Sequence, residues 1–80
     1  MWKNEDNSLK KSFEFEDFKG AFAFMTEVAF HAESMDHHPN WSNVYNKVEV
    51  ELSTHDAGNT VTKKDEDLAE QIDKVYRKFA

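Results

Sequence analysis

Asp36-His37-His38-Pro39-Asn40-Trp41, the stretch DHHPNW, decides how this 80-residue chain is read. Its proline is the only one in the chain. Proline cannot continue a helix, and it pushes the residue before it toward extended backbone. A helix arriving from upstream must therefore stop near His37, with His38 just outside it. Two of the four histidines lie at that break. Neighbours on a helix point about 100° apart, so the break helps decide where each ring goes.

Upstream of the break, residues 17–35 read as a long helix with Asp17 as N-cap. Phe18, Phe22, Met25, Ala29 and Ala32 recur at helical spacing, with Ala21, Phe24, Val28 and Met35 in a second stripe beside them. Together they form an apolar face wider than one sheet contact requires. The surplus suits an oligomer interface or a thick core. Downstream, residues 41–55 read as two strands. Val48, Val50 and Leu52 alternate with Glu49, Glu51 and Ser53, and Asn43-Val44-Tyr45 form the other arm, turning at Asn46-Lys47.

At the start of the chain, residues 2–15 read as a short hairpin. Its turn is Glu5-Asp6-Asn7-Ser8, and Leu9, Lys11, Phe13 and Phe15 alternate with polar positions. Residues 56–61 are a loop with Gly58 as its flexible point. Residues 63–79 read as a second helix with Leu68, Ile72, Val75 and Phe79 as its stripe. Acids crowd its first turn and Lys74, Arg77 and Lys78 its last, as the helix dipole favours. Thr62 and Asp65 have the spacing of a capping box, with Asp in place of Glu. The order ββαββα predicts an α+β fold. It is a four-stranded antiparallel sheet with two helices packed on one face, forming one domain over residues 1–80.

The composition narrows the function. Sixteen acids against ten bases give a net charge of −6, which disfavours nucleic acids and anionic membranes as partners. No apolar run approaches the roughly 20 residues of a membrane span, and the opening MWKNEDNSLKK has no signal-peptide core. There is no cysteine, so neither a disulfide nor a thiolate nucleophile is available. A soluble intracellular protein is expected. Small size, open sheet edges and surplus apolar helix surface predict a homodimer or homotetramer.

The candidate site residues are His37, His38 and His55, with Glu33, Asp36 and Asp65 near them in pattern. His31 sits mid-helix with no motif around it. Histidines at a helix end are often only favourable partners for the dipole. A metal site needs three or four ligands at fixed spacing, and adjacent His37 and His38 diverge, so no metal is expected. Acid–base work needs groups that titrate near neutrality, as histidine does. If His55 lies beside the end of the first helix, three imidazoles meet in one cleft. Glu33, four residues before His37, or Asp36 could orient a ring. Spacing alone leaves the structural and the acid–base readings open.

Several spaced elements, taken in order, resemble one family. These are Glu33-x-x-Asp36-His37-His38-Pro39, then Trp41, Asn43-Val44-Tyr45-Asn46-Lys47-Val48, Leu52-Ser53-Thr54-His55, and Asp65 opening the last helix. They resemble the pterin-4a-carbinolamine dehydratases, a family also described as a dimerisation cofactor of a homeodomain transcription factor. The resemblance runs from about Trp2 to Phe79, and the family's fold agrees with the order of elements above. It implies dehydration of a 4a-hydroxytetrahydropterin to a quinonoid dihydropterin, supporting pterin recycling for aromatic amino acid hydroxylases, with no cofactor.

By resemblance, His37 and His55 are the acid–base pair and His38 holds the pterin. Glu33 and Asp36 lie at the cleft edge, and Asp65 supports His55 or the pocket. Ser53, Thr54 and His55 present groups to the pterin's amide-like edge, and Trp2 lines the pocket. The family's usual N-terminal helix is expected to be missing here. A transcription-factor partner and a cytoplasmic or nuclear location are also implied. The alternative role is a protein-interaction module acting as coactivator through helix 17–35.

Overall fold

Alternation and turn chemistry build the sheet. The computed structural model of the chain describes residues 1–79, so the last residue of the expected domain lies outside the described residues. β1 (Lys3–Glu5) and β2 (Ser8–Glu14) form a hairpin. Asp6 and Asn7 occupy its turn at φ 54° and 62°, the left-handed pair that a tight two-residue hairpin needs and that Asp and Asn tolerate. β3 (Asn40–Val44) and β4 (Lys47–Leu52) form the second hairpin. Its turn falls at Tyr45-Asn46, one residue earlier than the sequence suggests. Tyr45 takes the left-handed position at φ 52°, and the Asn43 side chain donates to the carbonyls of Tyr45 and Lys47 on either side of the bend.

The four strands lie in the order β1-β2-β4-β3, all antiparallel. The central pairing sets Leu9 opposite Leu52, Lys11 opposite Val50, and Phe13 opposite Val48. In a pleated sheet, opposed residues share a face, so this register collects the apolar alternates on one side. Lys10, Ser12, Glu49 and Glu51 are left on the other. The expected alternation of Val48, Val50 and Leu52 is what points them inward.

Two helices cover the inner face. α1 (Phe18–Ser34) starts where the Asp17 side chain accepts the Gly20 backbone N–H at 2.9 Å, a side-chain N-cap. α2 (Lys63–Arg77) runs beside it. Ala21, Phe24, Val28 and Ala32 of α1 meet Leu68, Ala69, Ile72 and Val75 of α2 over Phe13, Phe15, Val48, Val50 and Leu52. Phe13 and Phe24 pack with their rings tilted by 40° and 5.1 Å between centroids. Phe13, Phe24, Leu52, Leu68 and Ile72 are among the fully buried side chains, each contributing about 1.5–3 kcal/mol by burial. The second stripe of α1 thus forms the core. The first divides: Ala32 and half of Met25 go inward, while Phe18 and Phe22 stay 47% and 57% exposed.

The end of α1 differs from the reading that begins with Pro39. The helix stops at Ser34, and Asp36 turns left-handed at φ 51°. The Asp36 N–H donates to the Glu33 carbonyl at 3.1 Å, and the His37 N–H to the Ala32 carbonyl at 3.0 Å. That pair of bonds is a Schellman motif. Pro39 comes three residues after Asp36 and keeps the chain extended into β3. Asp36→Gly should therefore keep unfolding stability within about 0.5 kcal/mol, whereas Asp36→Val should lose about 1–2 kcal/mol. Urea midpoints measure both, and equal losses would contradict the left-handed cap.

Candidate active site

Three chain segments converge beside the Schellman turn. The reversal at Asp36 carries His37 back toward the fold, where it is buried. β4 delivers Ser53 and Thr54, and a one-turn 3-10 helix at His55–Ala57 follows. Thr62 caps α2, which places Asp65 in its first turn. Asp36, His37, His38, Ser53, Thr54, His55, Asp56 and Lys64 line one open cleft of about 210 Å3. The expected meeting of the three histidines is found in that cleft.

Asp65 is the deepest polar group, at 0% exposure. Its Oδ1 accepts from His37 Nε2 at 2.6 Å. Its Oδ2 accepts the Thr54 hydroxyl at 2.7 Å and the Thr62 backbone N–H at 2.9 Å, the latter being the acidic arm of the expected capping box. Burial works to raise the Asp65 carboxyl, but the His37 ring, the Thr54 hydroxyl and the Thr62 N–H together outweigh it and hold it below its ordinary value. Asp65 is thus ionised at neutral pH and can only accept hydrogen bonds. The proton in the His37–Asp65 bond sits on Nε2, leaving Nδ1 as the ring nitrogen not used by Asp65.

The same logic orders the hydroxyls. Thr54 Oγ1 lies 2.5 Å from Thr62 Oγ1. Thr54 has one proton and gives it to Asp65, so Thr62 donates to Thr54. The Thr54 backbone is occupied too: its N–H donates to the Thr60 carbonyl, and its carbonyl accepts from Ala57 and Asn59. Thr54 therefore props Asp65 and has no free donor to offer a ligand. Ser53, half-buried at the wall, is the member of that pair left facing the cleft.

The carboxylates are paired differently from the sequence expectation. Glu33 reaches His38, not His37: His38 Nε2 lies 2.9 Å from Glu33 Oε1. The helix ends between Glu33 and His37, which breaks the i,i+4 alignment, and the His38 ring, just before Pro39, reaches Glu33 instead. This pair is exposed on both sides, so it orients the ring and adds little stability. Asp65 holds His37, not His55. His55, at the rim, has its Nδ1 2.9 Å from Asn59 Oδ1.

Trp2 is not part of this cleft. Its indole packs on Phe13 at 5.8 Å and its Nε1 donates to Asp73, which also accepts Lys11 Nζ at 2.8 Å. Asp73 is eight residues beyond Asp65, about 12 Å along α2. The sequence pattern does not single out Asp56, Lys64, Asn59 or the contact between the Thr62 and Thr54 hydroxyls. Asp56 and Lys64 sit next to named site residues, which was the available signal. Among the described residues, no three histidines or carboxylates are grouped to hold a metal ion.

Chemically, the cleft offers three imidazoles with three kinds of partner: a buried anion, an exposed anion and a neutral amide. That arrangement suits donation and acceptance of protons around one small planar ligand. Comparison with known proteins identifies the family. A family model described as Pterin 4 alpha carbinolamine dehydratase matches residues 1–75. A protein of Synechococcus sp. (strain WH7803), provisionally named pterin-4-alpha-carbinolamine dehydratase, is 56% identical over 72 residues, covering 90% of this chain and 76% of that one. One from Opitutus terrae with the same provisional name is 47% identical over 74 residues, covering 92% of this chain and 76% of that one.

Among solved structures, a transcriptional coactivator/pterin dehydratase from Brucella melitensis superposes with a TM-score of 0.87 at 42% identity, over 92% of this chain and 80% of the other. A pterin dehydratase-like RuBisCO assembly factor of the alpha-carboxysome shares the fold at TM-score 0.76 and 20% identity, over 94% of this chain and 86% of that one. The chain belongs to the pterin 4 alpha carbinolamine dehydratase family.

The Asp65 cluster makes a stability prediction. Its folded carboxyl is held low, so its contribution is full above the unfolded pKa of about 3.9 and is lost as pH falls through the folded value. Asp65→Asn should cost about 2–3 kcal/mol at pH 7, and the gap to the parent chain should narrow below about pH 4. Urea unfolding at pH 7 and pH 3 measures this; a gap of equal size at both would refute the ionised, hydrogen-bonded carboxylate.

Proposed function

We propose that the chain dehydrates a 4a-hydroxytetrahydropterin to a quinonoid dihydropterin. The observation that carries this is the cleft where His37, His38 and His55 meet over a buried, ionised Asp65. Family membership supplies the substrate class. In the reaction the C4a–O bond breaks and the oxygen leaves as water, taking a proton from an imidazolium. The N5 proton passes to a neutral imidazole, and the N5 electron pair closes the C4a=N5 bond. One proton is given and one is taken, so no oxidant, reductant or nucleophile is required. Hydroxide is a poor leaving group, and each positioned proton transfer contributes typically about 10²–10⁴-fold.

His37 and His55 are the proton-transfer pair in this reading. His38, tied to Glu33, orients the pterin ring, and Ser53 offers a hydroxyl to its amide-like edge. Asp36 bounds the rim. Thr54 acts through Asp65, and Trp2 has no role within the cleft of one chain. The product would be returned to the tetrahydro form by a reductase, which fits recycling of the pterin used by aromatic amino acid hydroxylases in the cytoplasm.

A second reading has a specific observation behind it. Phe18, Phe22 and Phe30 of α1 are exposed, an apolar surface that suits a protein partner. A homodimer or homotetramer would cover it, and so would a transcription factor in a coactivator role. The two readings can coexist.

The direct test follows loss of a freshly generated 4a-hydroxytetrahydropterin with and without protein. Acceleration over the spontaneous reaction is expected, and none from folded protein would sink the proposal. His55→Ala, at the exposed rim, should lower the rate about 10²–10⁴-fold with the fold intact. His37→Gln, which keeps an N–H for Asp65, should do the same. Light scattering at micromolar concentration should give a dimer or tetramer; a stable monomer would remove the oligomer.

A further inference from the structure

The loop from Thr54 to Thr60 is built more tightly than a connection between β4 and α2 requires. Thr54 and Thr60 form a bridge at its base, with the Thr54 N–H donating to the Thr60 carbonyl at 2.8 Å. The 3-10 turn His55–Ala57 fills one side. Gly58 and Asn59 return the chain in left-handed backbone at φ 82° and 58°. The Asn59 N–H donates to the Thr54 carbonyl at 3.1 Å, and the Gly58 N–H to the His55 carbonyl at 3.1 Å. Few L residues accept a left-handed position; Asn is one of them. The backbone alone would accept glycine at residue 59, so its side chain is free to serve another purpose.

That side chain meets His55. Asn59 Oδ1 lies 2.9 Å from His55 Nδ1. We propose that Asn59 is a positioning residue for the reaction: its amide oxygen holds neutral His55 in the Nδ1–H tautomer, so that Nε2 is the nitrogen offered to substrate. The geometry of this lock stands by itself, and its consequence for turnover rests on the dehydratase reading.

The amide is chemically distinct from the partners of the other two rings. A carbonyl oxygen only accepts, so it fixes which nitrogen carries the proton. Unlike Asp65 or Glu33, it carries no charge. The charged and titratable groups that share the cleft with His55 are Asp36, His37 and His38 from the end of α1, Asp56 beside it, and Lys64 from α2. A neutral ring with a fixed Nε2 lone pair is suited to take the N5 proton, while His37 stays tied to an anion.

The experiment is nitrogen NMR of the full chain labelled at histidine, with the pH–rate profile measured alongside. Wild-type His55 is expected to show the Nδ1–H tautomer when neutral. Asn59→Gly keeps the left-handed loop and should release the ring to the Nε2–H form that free histidine prefers. It should lower kcat by about tenfold to a hundredfold, by analogy with loss of the partner that orients a metal-ligating imidazole, with KM little changed. Asn59→Asp should keep the tautomer but move the His55 limb of the pH–rate profile to higher pH, because a carboxylate favours the imidazolium. A neutral wild-type His55 carrying its proton on Nε2, or ring signals unchanged in Asn59→Gly, would overturn the inference. An intact lock in a protein without turnover would instead overturn the dehydratase reading and leave the lock standing.

Discussion

The buried Asp65 carboxylate is the constraint on which the site depends. It receives the His37 ring, the Thr54 hydroxyl and the Thr62 backbone N–H at 2.6, 2.7 and 2.9 Å. Those three donors come from the turn after α1, the end of β4 and the start of α2. An ionised group with no solvent exposure must be satisfied by such donors or neutralised. Satisfying it therefore fixes where three separate elements end. The left-handed cap at Asp36 and the extended exit through Pro39 then determine how His37 and His38 part company. A capping residue chosen only for helix stability could have stayed at the surface. Asp65 instead caps α2 and anchors the His37 ring with the same two oxygens.

Most of the fold was legible because periodicity records burial. Val48, Val50 and Leu52 alternate, and their register with β2 puts them all inward. Asp17 and Thr62 announced the helix starts by side-chain chemistry. The errors came where geometry depends on a single backbone torsion. The β3–β4 turn moved by one residue because Tyr45, and not Asn46, takes the left-handed conformation. The single proline points to Pro39 as the helix stop, whereas Asp36 performs it. Spacing on α1 could not say which of two apolar stripes faces the sheet, since both are continuous.

The site was legible in membership more than in pairing. His37, His38 and His55 were named together, with Asp36 and Ser53, and all line one cleft. Which acid serves which ring was not readable. The i,i+4 rule gave Glu33 to His37, but that rule holds only while the helix continues. The resemblance gives Asp65 to His55 or to the pocket, and its contact runs to His37 across 28 positions of chain. The resemblance makes Thr54 a ligand contact, but its hydroxyl is consumed internally. Trp2 belongs to a separate cluster with Asp73 and Lys11. Long-range hydrogen bonds leave no period in a sequence, which is why these partners emerge only from the folded chain.

The account's central claim is that one pterin is handled by the three imidazoles around the Asp65 anchor. A crystal structure of the chain with a non-reactive dihydropterin bound tests this most directly. The predicted result seats the bicycle in the cleft lined by His37, His38, Ser53 and His55, with its N5 and C4a edge within about 2.6–3.2 Å of His37 or His55 nitrogen. A pterin lodged on the outer sheet face, or elsewhere away from these rings, would contradict it.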